Sequence, residues 1–301
     1  QRPDVIAGNP LNVSLAVRQS REGCMSKGQK VHGRCHLCGL TRELTFEHIP
    51  PRSAFNKHTV LYNDIHHMLQ QDIPKPFTGK QKQGGIGRYT LCGGCNSFTG
   101  AEYGSSYVAW AAQGMEVVFW TRSSPVIEMP FHILPLHVMK QIVSLFLSVN
   151  PISWRDGNPD LVEFVRWPTR KYLDPKYSIY AFYSVSAMQR QSGTTVLAKI
   201  SDTFQNMGIH AFSEITYPPF GYVMTVQSRS VERQPHDRRL VEITYFANYA
   251  YRQYHPVYLK LPVLPIHTYL PGDYRTEEQV AHDVQENKRK SQEMANRLPG
   301  D

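Results

Sequence analysis

Cys35-His36-Leu37-Cys38 and, after 53 intervening residues, Cys92-Gly93-Gly94-Cys95 are the stretches that decide the fold of this chain. Cysteine pairs with two intervening residues are typical of a tetrahedral Zn²⁺ site, because this spacing lets both sulfurs turn onto one ion. A site closed by four cysteines is structural and not catalytic. His36 lies inside the first pair and is a further possible ligand. The sequence therefore predicts a structural zinc ion, with an insertion between its two halves.

The cysteine count also indicates the compartment. The chain has five cysteines, and Cys24 is left over when the two pairs are removed. An odd count is a poor disulfide framework, whereas paired spacing is a good metal framework in a reducing environment. No apolar stretch is long enough to span a bilayer, and the first 20 residues lack the pattern of a secretory signal. We therefore expect a cytoplasmic protein that does not contact a membrane.

Glu47-His48, before the second cysteine pair, and Asn96, directly after it, carry groups suited to phosphodiester chemistry. The side-chain oxygens of Glu47 and Asn96 are ligands that a hard cation such as Mg²⁺ prefers. The imidazole of His48 can take a proton from water near neutral pH. One cation beside one general base is sufficient for phosphodiester hydrolysis. The alternative is a strand end with an ordinary, hydrogen-bonded histidine.

This arrangement of residues resembles the HNH, or ββα-metal, nuclease superfamily. It is most similar to the four-cysteine branch that includes phage junction-resolving nucleases. The resemblance covers roughly residues 30–120 and implies a zinc ion that pins a strand pair to a helix. It further implies that His48 is the general base, and that Glu47 and Asn96 hold a catalytic Mg²⁺ or Mn²⁺. The implied activity is endonucleolytic hydrolysis of nucleic acid, with DNA as the substrate.

One feature of the family is missing. Its members usually carry a central asparagine about five residues before the second cysteine pair, which helps to orient the base. Here residues 84–91 contain no asparagine. Asn56 and Asn63 lie earlier in the insertion, and either could take this place if the insertion folds back.

The positive charge is concentrated around these motifs. The formal net charge is +8 and the isoelectric point is about 9.2, and residues 21–122 alone carry a net +5. A basic balance favours a polyanionic partner such as nucleic acid. Phosphate contacts are predicted at five basic residues near the site, and the alternative is a merely solvated loop. These residues are Arg52, Lys57, Lys80, Lys82 and Arg88.

The chain divides into three predicted regions: an arm over 1–29, the HNH nuclease domain over 30–122, and a β-rich α+β domain over 123–301. In the nuclease domain, a helix over 103–117 is expected to bury Trp110. In the last region, apolar periodicity predicts a helix over 136–149. The final segment, 276–296, reads as a solvated helix with a capping box. Strands are predicted over 126–133, 161–167, 179–186, 196–200, 222–227 and 241–246. The expected fold class is α+β.

Three functions are compatible with these features. The first is a metal-dependent HNH endonuclease. The second is a non-catalytic, zinc-dependent nucleic-acid-binding module, which the missing asparagine favours. The third is a nuclease kept inactive until a protein partner or ligand acts on residues 123–301; such chains look similar to effectors of bacterial antiviral defence. That last comparison rests on domain arrangement alone.

Overall fold

The computed structural model describes residues 30–62, 80–120, 125–184, 189–199, 208–226, 240–264 and 289. The predicted arm, Asn63 and all but one residue of the predicted helix at 276–296 therefore lie outside the described residues. The described residues from Val31 onward belong to one compact unit. The domain boundary between residues 122 and 123 stays a prediction.

The cysteine-rich region is built on a small antiparallel sheet. Its strands are β1 (Val31–Arg34), β2 (Thr41–His48) and β5 (Gly87–Cys92), in the order β1-β2-β5. The insertion carries a separate hairpin of β3 (Val60–Tyr62) and β4 (Lys80–Lys82). Helix α1 (Gly93–Thr99) begins directly after β5. The β2–β5 pair and α1 therefore form two antiparallel strands followed by a helix.

Helix α1 continues through a π-helical turn (Gly100–Gly104) into α2 (Ser105–Trp120). This second helix was expected from the sequence over 103–117. Trp110 is 0% exposed, its ring stacks on Phe220 at 4.5 Å, and its Nε1 donates to the hydroxyl of Tyr222 at 2.7 Å. The prediction that Trp110 packs in the core is confirmed.

A larger sheet follows, with the strand order β6-β12-β7-β10-β9-β8 and β11 paired with β7. Neighbouring strands are antiparallel except β12 and β7, which pair in parallel. The sequence had not predicted β9 or β12. The strands are β6 (Val126–Ile133), β7 (Tyr177–Ser184), β8 (Arg190–Lys199), β9 (Gly208–Tyr217), β10 (Phe220–Val226), β11 (Val241–Glu242) and β12 (His255–Leu264).

Helix α3 (Pro135–Val149) is the central element of the compact unit, and all of its residues are buried. Pro135 stands at its first turn, where a missing N–H costs nothing. The predicted helix over 136–149 is confirmed. Its apolar face was expected to be buried, but its polar face is buried too, because α3 also packs against β5 of the small sheet and against the π-helical turn.

Two of the predicted strands are wrong. Residues 161–167 belong to helix α5 (Pro159–Arg166), which follows the short helix α4 (Ile152–Gly157). Its buried residues Leu161, Val162, Phe164 and Val165 repeat at helical spacing, and Pro159 begins it. Residues 241–246 form only the two-residue β11, followed by a 3₁₀ helix (Thr244–Asn248).

The end of α5 is held by a buried lysine of α3. Lys140 is 0% exposed, and its Nζ donates to the carbonyl oxygens of Phe164 and Trp167. A positive charge is favourable at a helix C-terminus. Burial nevertheless lowers the pKa of Lys140 to about 7.

The described residues form a mixed α+β structure, so the predicted fold class is confirmed at this level. In the described part of the chain, every helix is too short or too polar to cross a bilayer.

Candidate nuclease and zinc site

The four paired cysteines come together at one end of the small sheet. Cys35 and Cys38 lie between β1 and β2, Cys92 ends β5, and Cys95 lies in the first turn of α1. Their four Sγ atoms all lie within 4.8 Å of one another. Tetrahedral zinc with Zn–S bonds of about 2.3 Å separates its sulfurs by about 3.8 Å. The predicted grouping is confirmed, and the cluster can hold a structural metal ion.

Hydrogen bonds within the cluster already favour a thiolate. The hydrogen bond from Cys95 and the one from the backbone N–H of Cys92 (N···Sγ 3.3 Å) lower the pKa of Cys35 to about 4. Sharing that bond with Cys35 raises the pKa of Cys95. Burial raises the pKa of Cys38. Because a zinc ion binds thiolates, metal binding here should release protons from Cys38 and Cys95.

His36 ties this cluster to α3. Its Nδ1 lies 2.8 Å from the carbonyl oxygen of Leu147, so that nitrogen carries the proton and donates. Burial lowers the pKa of His36. Among the described residues, the metal-ligand cluster contains the four cysteines and not His36. The Nε of Arg155 on α4 donates to the carbonyl oxygen of His36 at 3.2 Å, so α4 contacts this residue as well.

Glu47 lies at the end of β2 and is only 4% exposed. Its Oε2 accepts hydrogen bonds from the hydroxyls of Thr90 (3.2 Å) and Ser148 (2.6 Å). Thr90 lies on β5, whereas Ser148 comes from α3, 101 residues further along the chain. Burial is the dominant effect on this carboxyl, and it raises the pKa of Glu47 to about 7.

His48, the last residue of β2, is held by a backbone carbonyl. Its Nε2 lies 3.0 Å from the carbonyl oxygen of Gly84. A carbonyl oxygen can only accept, so Nε2 carries the proton and Nδ1 of the neutral ring keeps its lone pair. The ring of Phe46 packs edge-on against the imidazole at 5.0 Å. The orientation and tautomer of His48 are therefore fixed by the protein.

Asn56 holds the turn that supplies this carbonyl. It is 0% exposed, and its Nδ2 donates to the carbonyl oxygens of Pro50 and Ile86, each at 2.7 Å. Its Oδ1 accepts from the N–H of Ile86, also at 2.7 Å. Gly85 in this turn has φ +98°, and a Cβ there would lie 2.3 Å from the carbonyl oxygen of Asn56. The chain thus folds back at Asn56, whose side-chain hydrogen bonds go to the backbone of Pro50 and Ile86 and not to His48.

The second sheet anchors the same loop from outside. The side chain of Gln191 on β8 donates to the carbonyl oxygen of Ile49 at 2.5 Å. The hydroxyl of Tyr217 on β9 donates to the carbonyl oxygen of Phe55 at 3.0 Å. Residues 49–56, which follow the Glu47-His48 pair, are therefore fixed at both ends by strands of the larger sheet.

Glu47, His48 and Asn96 line one open cavity of about 160 Å³, together with Arg52. Asn96 reaches it from α1, and its Nδ2 donates to the hydroxyl of Thr45 at 3.1 Å. This bond uses the amide nitrogen and not the oxygen, which is the atom that a hard cation takes. The remaining lining residues are Phe46, Pro51, Thr99, Gly100, Gly104 and Gln141.

The five predicted phosphate-binding residues differ in their position relative to the cavity. Arg52 lines the cavity, whereas Lys57 is exposed on the loop beyond it. The Nζ of Lys82 lies 5.4 Å from the centre of the Phe46 ring, at the edge of the cavity. Arg88 is close enough to His36 to contribute to its lowered pKa, so it lies toward the cysteine side. Lys80 is in β4, and its side chain lies outside the described residues.

Sequence reasoning missed Thr90, Gly84, Ser148 and Gln141. The last two belong to α3, where the polar positions 137, 141, 144 and 148 are separated by four, three and four residues. Such spacing places side chains on one face of a helix. That stripe was the available signal that α3 has a second, polar contact surface.

Comparisons of the chain with protein-family models, with curated proteins and with solved structures found no match.

Proposed function

We propose that this chain is a metal-dependent endonuclease of the HNH type that hydrolyses phosphodiester bonds. The observation that carries the proposal is the shared cavity: a carboxylate, an imidazole, an amide and a guanidinium line it, from Glu47, His48, Asn96 and Arg52. A phosphodiesterase needs a proton acceptor, oxygen ligands for a cation and a positive group for the phosphate. All of these are present in one place.

His48 is the general base in this proposal. Since Nε2–H is bound to the Gly84 carbonyl, Nδ1 is the atom that accepts a proton from the attacking water. Arg52 binds the non-bridging phosphate oxygens, for which a guanidinium is well shaped. The side-chain oxygens of Glu47 and Asn96 hold Mg²⁺ or Mn²⁺, which when bound stabilises charge on the phosphate and the leaving oxygen.

The donor set suits such a cation. Glu47 and Asn96 present oxygen atoms on two different elements, β2 and α1, and the open cavity leaves space for waters. Without a cation, burial favours the protonated form of Glu47. A divalent ion next to the carboxyl favours the charged form, so ionisation of Glu47 is coupled to metal binding.

The substrate follows from the size and charge of the site. A cavity of about 160 Å³ is small beside typical ligand pockets of ~300–1,000 Å³. We therefore expect a single phosphodiester group to enter it while the bases stay outside. Lys57 and Lys82, on the loop and hairpin beside it, are the expected contacts to neighbouring phosphates. DNA rather than RNA rests on the family resemblance.

The contact from Ser148 to Glu47 supports the inactive-effector version of the same proposal. Ser148 lies in the region 123–301, and its hydroxyl bonds directly to the carboxyl that is proposed to hold the cation. A protein partner or ligand that shifts α3 would therefore change the position of Glu47. An effector role in antiviral defence is proposed on the domain arrangement alone.

A zinc-dependent nucleic-acid-binding module without catalysis is the second candidate. One observation favours it: Glu47 is buried, and its Oε2 is engaged by two hydroxyls, as in a structural carboxyl that links β2 to α3. In that case the basic residues bind phosphates, and His48 only packs against Phe46.

The test is cleavage of supercoiled plasmid, and of single-stranded DNA and RNA, by zinc-loaded protein with Mg²⁺ or Mn²⁺. We expect the wild type to nick or linearise plasmid, and His48→Ala to lose about 10²–10⁴-fold in rate, the usual contribution of a general base. The matched control is His58→Ala. This removes an exposed histidine of the same loop that does not line the cavity, so its rate should stay near that of the wild type.

Nucleic-acid binding separates the two candidates. If His48→Ala binds DNA as the wild type does while cleavage is lost, the endonuclease stands. The contrary result is a zinc-loaded wild type that binds nucleic acid and cleaves none of the substrates, even after fractions containing candidate partners are added. In that case the binding module replaces the endonuclease as the proposed function.

A further inference from the structure

The amide oxygen of Gln141 is buried beside the cavity without a hydrogen-bond partner among the described residues. The residue is 3% exposed and lies on α3, which comes from the region after residue 122. Buried polar atoms are normally satisfied, and an unmade hydrogen bond in the interior is costly. A group from outside the described residues is therefore expected to satisfy this oxygen.

The chemistry of the cavity limits which groups can satisfy the amide oxygen of Gln141. An amide oxygen only accepts, so it requires a donor or a cation. With Gln141, three oxygen-bearing side chains line the cavity from three elements: Glu47 from β2, Asn96 from α1 and Gln141 from α3. Hard divalent cations select such oxygen sets, and Mg²⁺ in particular keeps several of its waters in a protein site.

The geometry of α3 indicates an indirect contact with the cation. Gln141 precedes Ser148 by seven residues, or two turns, so the two positions share a face about 10 Å apart along the axis. Ser148 bonds to Glu47, and Gln141 therefore approaches the cavity about two turns away from that contact. Because liquid water takes about 30 Å³ per molecule, the cavity of about 160 Å³ has room for a few waters between Gln141 and Glu47.

We propose that Gln141 is a positioning residue for the hydrated divalent cation, and that its Oε1 accepts a hydrogen bond from a water in the cation's shell. The inference rests on the proposed function, because Glu47 and Asn96 are the ligands of that cation. It assigns part of the metal site to the region 123–301. The small sheet and α1 would then be incomplete as a cation site without α3.

The experiment measures Mn²⁺ binding to the full, zinc-loaded chain by titration with electron paramagnetic resonance, independently of cleavage. We expect Gln141→Leu to weaken Mn²⁺ affinity by about tenfold or more, as loss of an outer partner of a metal site usually does. Its thermal midpoint without divalent cation should not fall, since the variant removes an unsatisfied buried oxygen. Gln141→Glu, with a stronger acceptor, should bind Mn²⁺ more tightly than the wild type.

Ser144→Ala is the matched control. It removes another buried oxygen that has no hydrogen-bond partner in the described part of the chain. Ser144 lies on the same face of α3, one turn away, but does not line the cavity. Its Mn²⁺ affinity should equal that of the wild type. An equal loss in Ser144→Ala and Gln141→Leu overturns the proposal, because the effect would then come from the packing of α3.

Glu47→Gln separates this inference from the proposed function. If Glu47→Gln abolishes Mn²⁺ binding and Gln141→Leu leaves it unchanged, the cation site stands and the role of Gln141 is refuted, with an ordinary buried water satisfying its oxygen. If the wild type binds no Mn²⁺, both fail. Should Gln141→Leu not fold, Gln141→Glu decides: unchanged or weaker Mn²⁺ binding overturns the proposal.

Discussion

Replacing Glu47 by glutamine should make the protein more stable at the same time as it removes the proposed activity. Burial raises the pKa of this carboxyl from 4.5 to about 7. Glutamine has the shape of the protonated acid and keeps an oxygen that can accept from Ser148 and Thr90. It carries no charge that must be desolvated.

The magnitude follows from linkage between proton binding and folding. Between pH 4.5 and about 7 the folded chain binds more protons at Glu47 than the unfolded chain does, so stability falls as pH rises through this window. Above pH 7 the full penalty is present. A pKa difference of about 2.5, at about 1.4 kcal/mol for each pKa unit, gives about 3 kcal/mol. Glu47→Gln should therefore be about 3 kcal/mol more stable than the wild type at pH 8, and close to it at pH 5.

The assay is urea unfolding of zinc-loaded protein at both pH values, without Mg²⁺ or Mn²⁺. Glu43→Gln is the matched control, because it neutralises an exposed glutamate of the same strand; a surface change of this kind usually shifts stability by less than about 0.5 kcal/mol. Added Mn²⁺ should stabilise the wild type and not Glu47→Gln. A Glu47→Gln protein that is no more stable than the wild type at pH 8 would refute the assignment of a desolvated carboxyl.

The remaining predictions concern the cysteine cluster, the turn beneath His48 and the buried lysine. Cys95→Ser should lose stoichiometric zinc and much of the folded state, as measured by elemental analysis and circular dichroism; full zinc retention would contradict the four-cysteine site. Asn56→Ala should destabilise the chain by about 2–4 kcal/mol in urea unfolding, since it removes three buried hydrogen bonds and leaves the N–H of Ile86 unpaired; a loss below ~1 kcal/mol would show that the turn is held by other contacts. Burial lowers the pKa of Lys140 from 10.5 to about 7, so between pH 7 and pH 10.5 the unfolded chain binds more protons at this residue than the folded chain does. The stability of the wild type relative to Lys140→Met should therefore rise with pH in this window, by up to about 1.4 kcal/mol per pH unit. Parallel pH profiles for these two proteins would rule out a desolvated ammonium.

Local spacing made the cysteine cluster predictable. Two residues between the members of each pair let both sulfurs of that pair turn onto one ion, and the pairing of β2 with β5 brings the two pairs together. Helix α3 was predictable for a similar reason, since its apolar positions repeat at helical spacing over four turns. The apolar residues of α5 also repeat at helical spacing. The segment is short, however, and its β-branched and aromatic residues Val162, Phe164 and Val165 favoured a strand.

The orientation of His48 could not be read from the sequence. Every residue has a carbonyl, so no residue type marks Gly84 as the acceptor, and only the folded turn brings its oxygen within 3.0 Å of the imidazole. The missing central asparagine pointed to Asn56 or Asn63 as a replacement. Asn63 lies outside the described residues, and the side chain of Asn56 bonds to the backbone on both sides of the turn.

The sequence by itself determined the grouping of four cysteines and the proximity of Glu47-His48 to Asn96, because these depend on short spacings and on one strand pair followed by a helix. Only the tertiary structure decided the environment of the carboxyl. Ser148 reaches Glu47 across 101 residues, and Gln141 lines the same cavity from the same helix. The physical reason is that the packing of α3 against the small sheet buries both side chains. This burial raises the pKa of Glu47 and encloses the amide oxygen of Gln141. The packing joins distant segments of the chain, and no local sequence pattern encodes it.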